Sequence, residues 1–206
     1  MENETEKTRR RFDRIAWMYD VMESPMEAMA AAQLRRELLF LARGRVLEVG
    51  IGTGKNLPYY PPSVKLVGID ISSRMLARGK RKAQDLGISC DLLVMDAERM
   101  TFPNATFDTI VSTFVFCTVP DAPAGLREVR RVLKPDGQAL FLEHTRSANP
   151  ALGRLMDFFN PLVRSVIGDN INRRTAESIV NAGFEIVSIE EMGMKIVKKI
   201  VARPSV

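Results

Sequence analysis

The feature that most narrows what this 206-residue chain can fold into is a regular alternation of short apolar runs with longer amphipathic stretches. The runs Arg45 to Val49, Lys65 to Ile69, Cys90 to Met95, Phe107 to Ser112 and Gln138 to Glu143 are bounded by Gly, Pro or Asp. They read as buried parallel strands, because a strand covered on both faces has no in-and-out polarity pattern. Ser72 to Asp85 and Ala122 to Leu133 carry helical spacing, and the second closes on the stop signal Lys134-Pro135-Asp136-Gly137. Strand and helix in turn predict an α/β, Rossmann-like sheet with helices on both faces. After Asn181-Ala182-Gly183, the runs Phe184 to Glu190 and Met194 to Ala202 lie too close together for a helical crossover. A C-terminal antiparallel hairpin is therefore expected at the end of the sheet.

A chain of this length with 46% hydrophobic residues is expected to form one domain spanning 1–206. Two segments fall outside the alternation: 1–42, read as an N-terminal helical cap, and 145–175, read as an inserted substrate lid. Cys90 and Cys117 offer neither metal-ligand spacing nor a disulfide framework, so no metal is expected and a reducing cytoplasm fits best. The opening residues lack a signal-peptide core and no run of 18 apolar residues occurs, so any membrane association is expected to be peripheral, on the inner face. Thirty Lys and Arg against 25 Asp and Glu leave a net charge of +5, a bias toward anionic partners.

Gly50, Gly52 and Gly54 follow the first strand directly, where missing side chains let the backbone turn tightly and approach a ligand. Asp70 ends the next strand, placed to accept hydrogen bonds from both hydroxyls of a ribose. Three observations choose the nucleoside cofactor. The spacing is Glu-x-Gly-x-Gly-x-Gly, not the Gly-x-Gly-x-x-Gly that seats a pyrophosphate. Glu48 puts a carboxylate beside the loop, which repels a pyrophosphate and suits a ligand bearing an ammonium and a sulfonium. Asp96, with Ala97 behind it, can take a hydrogen bond from an adenine amino group while Ile71 and Met95 sandwich the ring. All three favour S-adenosylmethionine, leaving S-adenosylhomocysteine as product.

The segments VLEVGIGTGKN, GIDIS, MDAERMTFPNATFDTIVSTFVFCTVPD and LREVRRVLKPDGQALFLEH together resemble the successive motifs of class I methyltransferases of the UbiE-like, type 11 subgroup, over residues 12 to about 202. That resemblance implies a seven-stranded methyltransferase sheet with the cofactor across the carboxyl ends of its first strands. It puts Glu48, Gly50 and Gly52 around the methionine moiety, Asp70 on the ribose, Asp96 and Ala97 on the adenine, and Thr113 beside the sulfonium. Tyr19, in Tyr19-Asp20, is similar to a family pair that closes over the cofactor; otherwise it is an aromatic packed at a helix end.

Methyl transfer from a sulfonium asks for no protein nucleophile, so alignment of donor and acceptor is the main task. His144, the lone histidine, ends the fifth strand and reads either as a general base or as a polar strand-end residue. Cys117 reads as small apolar lining. The 145–175 segment interleaves Leu152, Leu155, Met156, Phe158, Phe159, Leu162, Val163, Val166 and Ile167 with Arg146, Arg154, Arg164, Arg173 and Arg174. Its spacing fits a lid over a lipophilic acceptor, a helix in a membrane interface, or a helix packed on the core. Lys7, Arg9, Arg10, Arg11 and Arg14 precede Ile15, Trp17, Met18 and Val21, and Met26 to Leu41 is a second apolar helix carrying Arg35 and Arg36. Basic clusters of this kind can hold a protein on an anionic membrane, while a solvated helix face is the plain alternative. Among its relatives the chain resembles phosphatidylethanolamine N-methyltransferases, alkyl-thiol S-methyltransferases and quinone C-methyltransferases. The expected acceptor is a small or lipid amphiphile, foremost phosphatidylethanolamine. A non-catalytic cofactor-binding subunit is the alternative of a different class, and no nucleic-acid motif is present.

Overall fold

The Val-, Ile- and Leu-rich runs do become strands. A computed structural model describes residues 4–17, 32–147, 149, 153–154, 156–158, 160, 174–192 and 196–205. Its strands are β1 Arg45–Val49, β2 Lys65–Asp70, β3 Cys90–Val94, β4 Phe107–Thr113, β5 Leu133–His144, β6 Phe184–Met192 and β7 Val197–Pro204. They form one seven-stranded sheet in the order β3-β2-β1-β4-β5-β7-β6. The first five pair in parallel, and β7 runs antiparallel to both β5 and β6, as the short link before it requires. The described helices are α1 Glu4–Ile15, α2 Ala32–Leu39, α3 Ser73–Asp85, α4 Ala122–Val132 and α5 Thr175–Asn181. The fold is the Rossmann-like methyltransferase sheet that the motifs imply, with its C-terminal antiparallel strands.

Successive side chains of a strand face opposite ways, and β5 divides its residues between two cores accordingly. Ala139 and Phe141 join Phe107, Phe116, Leu126 and Phe184 on one face, whereas Leu140 and Leu142 join Leu38, Leu39, Val46, Leu76 and Val111 on the other. Phe141 is the hub of the first, with edge-on contacts to Phe116 at 6.0 Å and to Phe184 at 6.4 Å.

Half of the strand ends move by one to three residues from the sequence reading, and the largest departure is β5, which starts at Leu133 instead of Gln138. Phe107 pairs with Leu133 and Thr109 with Gln138, so the intervening Lys134-Pro135-Asp136-Gly137 bulges out of the ladder. Proline has no N–H to give the neighbouring strand, and a bulge is where a sheet can accommodate it. The stop signal therefore ends α4 without interrupting the strand that follows. Of the expected helix Met26 to Leu41, Ala32–Leu39 is helical, and 26–31 lie outside the described residues.

Strand order reverses between β1 and β4, which opens a crevice at their carboxyl ends. Helix α3 closes tightly on the turn there. A Cβ added to Gly79 would stand 2.9 Å from the Gly52 carbonyl oxygen, and one on Gly54 would stand 2.6 Å from Leu57 Cδ1 and 3.4 Å from Gly79 Cα. Alanine is favoured over glycine in a helix interior by about 1 kcal/mol, yet here the added methyl meets a fixed carbonyl, an overpacking that costs about 1–3 kcal/mol. Gly79→Ala is therefore expected to lower stability, seen as an earlier midpoint in urea unfolding, and a later midpoint would refute the close approach.

Candidate functional site

The turn after β1 is built by backbone alone. Gly50 N–H and Ile51 N–H both donate to the Ile69 carbonyl, at 2.8 and 3.0 Å, and so fasten the turn to the end of β2. Gly50 and Gly52 hold φ values of +69° and +56°, in the left-handed region that glycine enters at least cost. A Cβ on Gly52 would have no neighbour closer than 4.0 Å, so the position faces open space beside Asp70. Asp70 Oδ2 accepts the Gly52 N–H at 2.9 Å and its Oδ1 accepts the Ser72 N–H at 2.8 Å. An ionised carboxylate can take about four hydrogen bonds, which leaves room for two hydroxyl donors.

Around this turn opens a cleft. Gly50, Gly52, Asp70, Ile71, Met95, Asp96, Ala97 and Thr113 all line it. The remaining two expected cofactor positions do not. Gly54 packs against Leu57 and α3, and Glu48 lines a second, adjoining cavity. The second cavity shares Gly50, Gly52, Thr113 and Phe114 with the first.

The rest of the cleft comes from residues that motif reading missed. Thr5, Thr8 and Phe12, on one face of α1, form part of its wall. Helix α1 is fastened by Asp13, whose Oδ1 accepts from Ser72 Oγ at 2.6 Å and from Arg74 N–H at 3.3 Å at the start of α3. Their i, i+3, i+7 spacing was the available signal. Phe114, Val115, Thr118, Val119 and Pro120 line it too, and Phe114 holds a φ of +57°, a strained setting for a bulky residue.

His144 lines neither cavity among the described residues; its half-buried ring lies 4.6 Å from the Phe114 ring, centre to centre. Cys117 is buried in the core, and its neighbour Thr118 is the residue that reaches the cleft. Tyr19 and Asp20 lie outside the described residues, as do Met18, Val21, Leu152, Leu155, Phe159, Arg164, Arg173 and all of 161–172.

The second cavity holds a buried polar network. Arg35, read from sequence as a surface cation, is only 4% exposed. Its Nη1 donates to Asn56 Oδ1 at 2.8 Å and to Thr113 Oγ1 at 2.7 Å, and its guanidinium lies 5.2 Å from the Phe114 ring centre. Asn56 Nδ2 donates in turn to Glu48 Oε1 at 2.7 Å, and the Tyr60 hydroxyl donates to Glu48 Oε2 at 2.9 Å. The shared face with Leu38 and Leu39 was the sequence signal for burial of Arg35. The basic N-terminus is likewise less free than its composition suggests: Lys7 pairs with Glu4, Arg9 with Glu6 and Asp13, and Arg10 with Glu6.

Removal from water raises both site carboxyls. Burial pushes Asp70 up to about 6, against the pull of the Ser72 and Gly52 N–H groups, and pushes Glu48 up to about 7, against hydrogen bonds from Tyr60 and Asn56. The ordinary values are 3.8 and 4.5, so the folded chain favours the neutral acids. Their stabilising contribution is complete below the ordinary values and is lost as pH rises through about 6 and about 7.

The matched family model is described as a methyltransferase domain and covers residues 47–141. A phosphatidylethanolamine N-methyltransferase of Cereibacter sphaeroides is 40% identical over 126 residues, which make up 60% of this chain and 59% of that protein. A ubiquinone/menaquinone biosynthesis C-methyltransferase UbiE of Geobacter sulfurreducens is 33% identical over 173 residues, 79% of this chain and 68% of that one. A solved methyltransferase of Thermotoga maritima, titled a possible histamine N-methyltransferase, shares the fold at a TM-score of 0.72 and 20% identity, over 95% of this chain and 99% of its own.

Two measurements test the electrostatics. Without ligand, the thermal midpoint is expected to fall from about pH 4 to about pH 7; Glu48→Gln should remove the part of the fall between about pH 6 and about pH 7 and leave the Asp70 part, and an unchanged fall in that upper interval refutes the raised Glu48. A hydroxyl donated to Asp70 favours its ionised form, so affinity for S-adenosylhomocysteine should weaken below about pH 6. Calorimetry in buffers of different ionisation enthalpy should then record proton release on binding. Cleft, motifs and relatives converge on one assignment: the chain belongs to the UbiE-like family of S-adenosylmethionine-dependent methyltransferases.

Proposed function

We propose that the chain N-methylates the amine of phosphatidylethanolamine at a membrane surface. The observation that carries this reading is the 40% identity to a phosphatidylethanolamine N-methyltransferase. The cleft is compatible with it: Phe12, Phe114, Val115, Val119 and Pro120 form an apolar wall suited to an amphiphilic acceptor. Trp17 and Phe158, in the two segments that flank the alternating core, are 72% and 77% exposed, as expected of side chains that enter a lipid interface. No helix among the described residues is long and apolar enough to cross a membrane, so attachment would be peripheral, at the inner face of a cytoplasmic membrane.

The residues present fit the cofactor. Asp70, with two acceptor positions open, would take the ribose hydroxyls; Asp96 would take the adenine amino group, with Ile71, Met95 and Ala97 around the ring. Gly50 and Gly52 would allow close backbone approach beside Thr113. In the second cavity Arg35 would face the carboxylate of the methionine end and Glu48 its ammonium. When bound, S-adenosylmethionine supplies an electrophilic methyl group on a good leaving group. What the chain contributes is alignment and exclusion of water, with α1 and Phe114 among the walls of the cleft.

Quinone C-methylation is the second reading, favoured by the greater span of the UbiE match. Labelled cofactor offered with phosphatidylethanolamine vesicles and with a demethylated quinone separates the two. Label is expected in the lipid; label confined to the quinone would sink the first reading.

His144 is assigned a positioning role, because its ring backs Phe114 and does not reach the cleft among the described residues. His144→Gln should reduce kcat by less than about tenfold and leave the pH–rate profile in place. A loss of about 10²–10⁴ together with a displaced profile would make it the general base.

A further inference from the structure

At the carboxyl edge of the sheet, one strand over from the cofactor cleft, a separate cavity of about 540 Å³ lies beyond the end of β5. Thr145 and Thr175 both line it, each 2% exposed, and the hydroxyl oxygen of each is buried with no hydrogen-bond partner. A buried polar group left unsatisfied costs about 1–3 kcal/mol, so two orphaned hydroxyls on residues of one lining call for an occupant that exchanges hydrogen bonds with them. The other polar lining sets its charge. Among the described residues the lining carries the cations Arg146, Arg174 and Lys198 and the carboxylate Glu177. Each cation has a carboxylate beside it, Asp157 for Arg146, Glu177 for Arg174 and Glu191 for Lys198, at 2.9, 3.4 and 2.9 Å. The Arg174–Glu177 pair is mostly exposed on both sides and so is weak enough to yield to a ligand.

The geometry points to a phosphate-binding subsite, in which the Thr145 and Thr175 hydroxyls donate to phosphate oxygens and Arg146, Arg174 and Lys198 balance their charge. Phosphate suits the donor set better than a carboxylate, because its several oxygens can take two hydroxyls and a guanidinium fork together. Such a group is carried by a soluble phosphate compound or by a phospholipid headgroup. That the subsite serves the methyl acceptor rests on the phosphatidylethanolamine reading; the subsite itself does not.

Titration of the intact chain with inorganic phosphate and with glycerophosphoethanolamine, followed by phosphorus NMR, tests the subsite. The variant Thr145→Val/Thr175→Val keeps the side-chain shapes and removes only the orphaned hydroxyls. It is expected to bind phosphate about tenfold more weakly or worse, while its thermal midpoint without phosphate stays level or rises. Lys198→Gln serves as the second probe and should weaken binding in the same direction. If wild type fails to bind either compound at millimolar concentration, or if the threonine variant binds as wild type does, the subsite is overturned. A raised KM for phosphatidylethanolamine micelles in the variant, with S-adenosylhomocysteine affinity unchanged, assigns the phosphate to the lipid. Weakened phosphate binding with an unchanged lipid KM assigns it to a soluble compound. Phosphate binding by a chain that methylates no phospholipid would end the acceptor reading and leave the subsite standing.

Discussion

The site depends on one carboxylate. Asp70 terminates β2 and accepts the Gly52 N–H with one oxygen and the Ser72 N–H with the other, so a single side chain joins the glycine turn to the start of α3. Ser72 extends the link in both directions: its hydroxyl accepts the Met75 N–H as the cap of α3 and donates to Asp13 of α1. Strand, turn, helix and the α1 wall of the cleft thus meet within four residues of sequence. Burying a carboxylate is costly unless donors surround it, and two backbone donors meet only part of that cost, which is why Asp70 stays protonated up to about pH 6. The shortfall is functional in direction. A ligand that donates hydroxyls to Asp70 would supply the missing donors and favour its ionised form.

The parts of the site that were legible in sequence are those attached directly to strand ends. Gly50, Asp70, Asp96 and Thr113 each stand at or just past the end of a parallel strand, and strand order alone then gathers them at one edge. What escaped depended on packing between distant segments. Gly52 and Gly54 are equivalent by spacing, and it is the packing of Leu57 against Gly54, with open space beside Gly52, that makes one a packing position and the other a cradle. Arg35 and the basic residues of α1 read either as a membrane-binding cluster or as a solvated face when charge is weighed without its partners. The helix phase that Arg35 shares with Leu38 and Leu39, and the Glu4, Glu6 and Asp13 carboxylates within one turn of Lys7, Arg9 and Arg10, carried the contrary signal. The strand boundaries of β5 were displaced for a related reason: a proline and a glycine can end a helix and sit in a bulge of the next strand together.

The second cavity shows how a buried cation and a buried carboxyl can be kept apart. Asn56 presents its carbonyl oxygen to Arg35 and its amide nitrogen to Glu48, and the opposite orientation would set like partial charges against both. Side-chain amides of unclear orientation are assigned by their hydrogen bonds, and here the two charges fix the answer. Placed between them, the amide satisfies each charged group without allowing the close ion pair in which each would spend its charge on the other. A guanidinium and a carboxyl then line one small cavity next to Gly50 and Gly52. A pyrophosphate offers only negative charge to that arrangement and would be repelled by Glu48. An amino acid end carries a carboxylate and an ammonium and can answer both, so it is Asn56, outside the glycine motif, that makes the neighbouring pair complementary to a zwitterion.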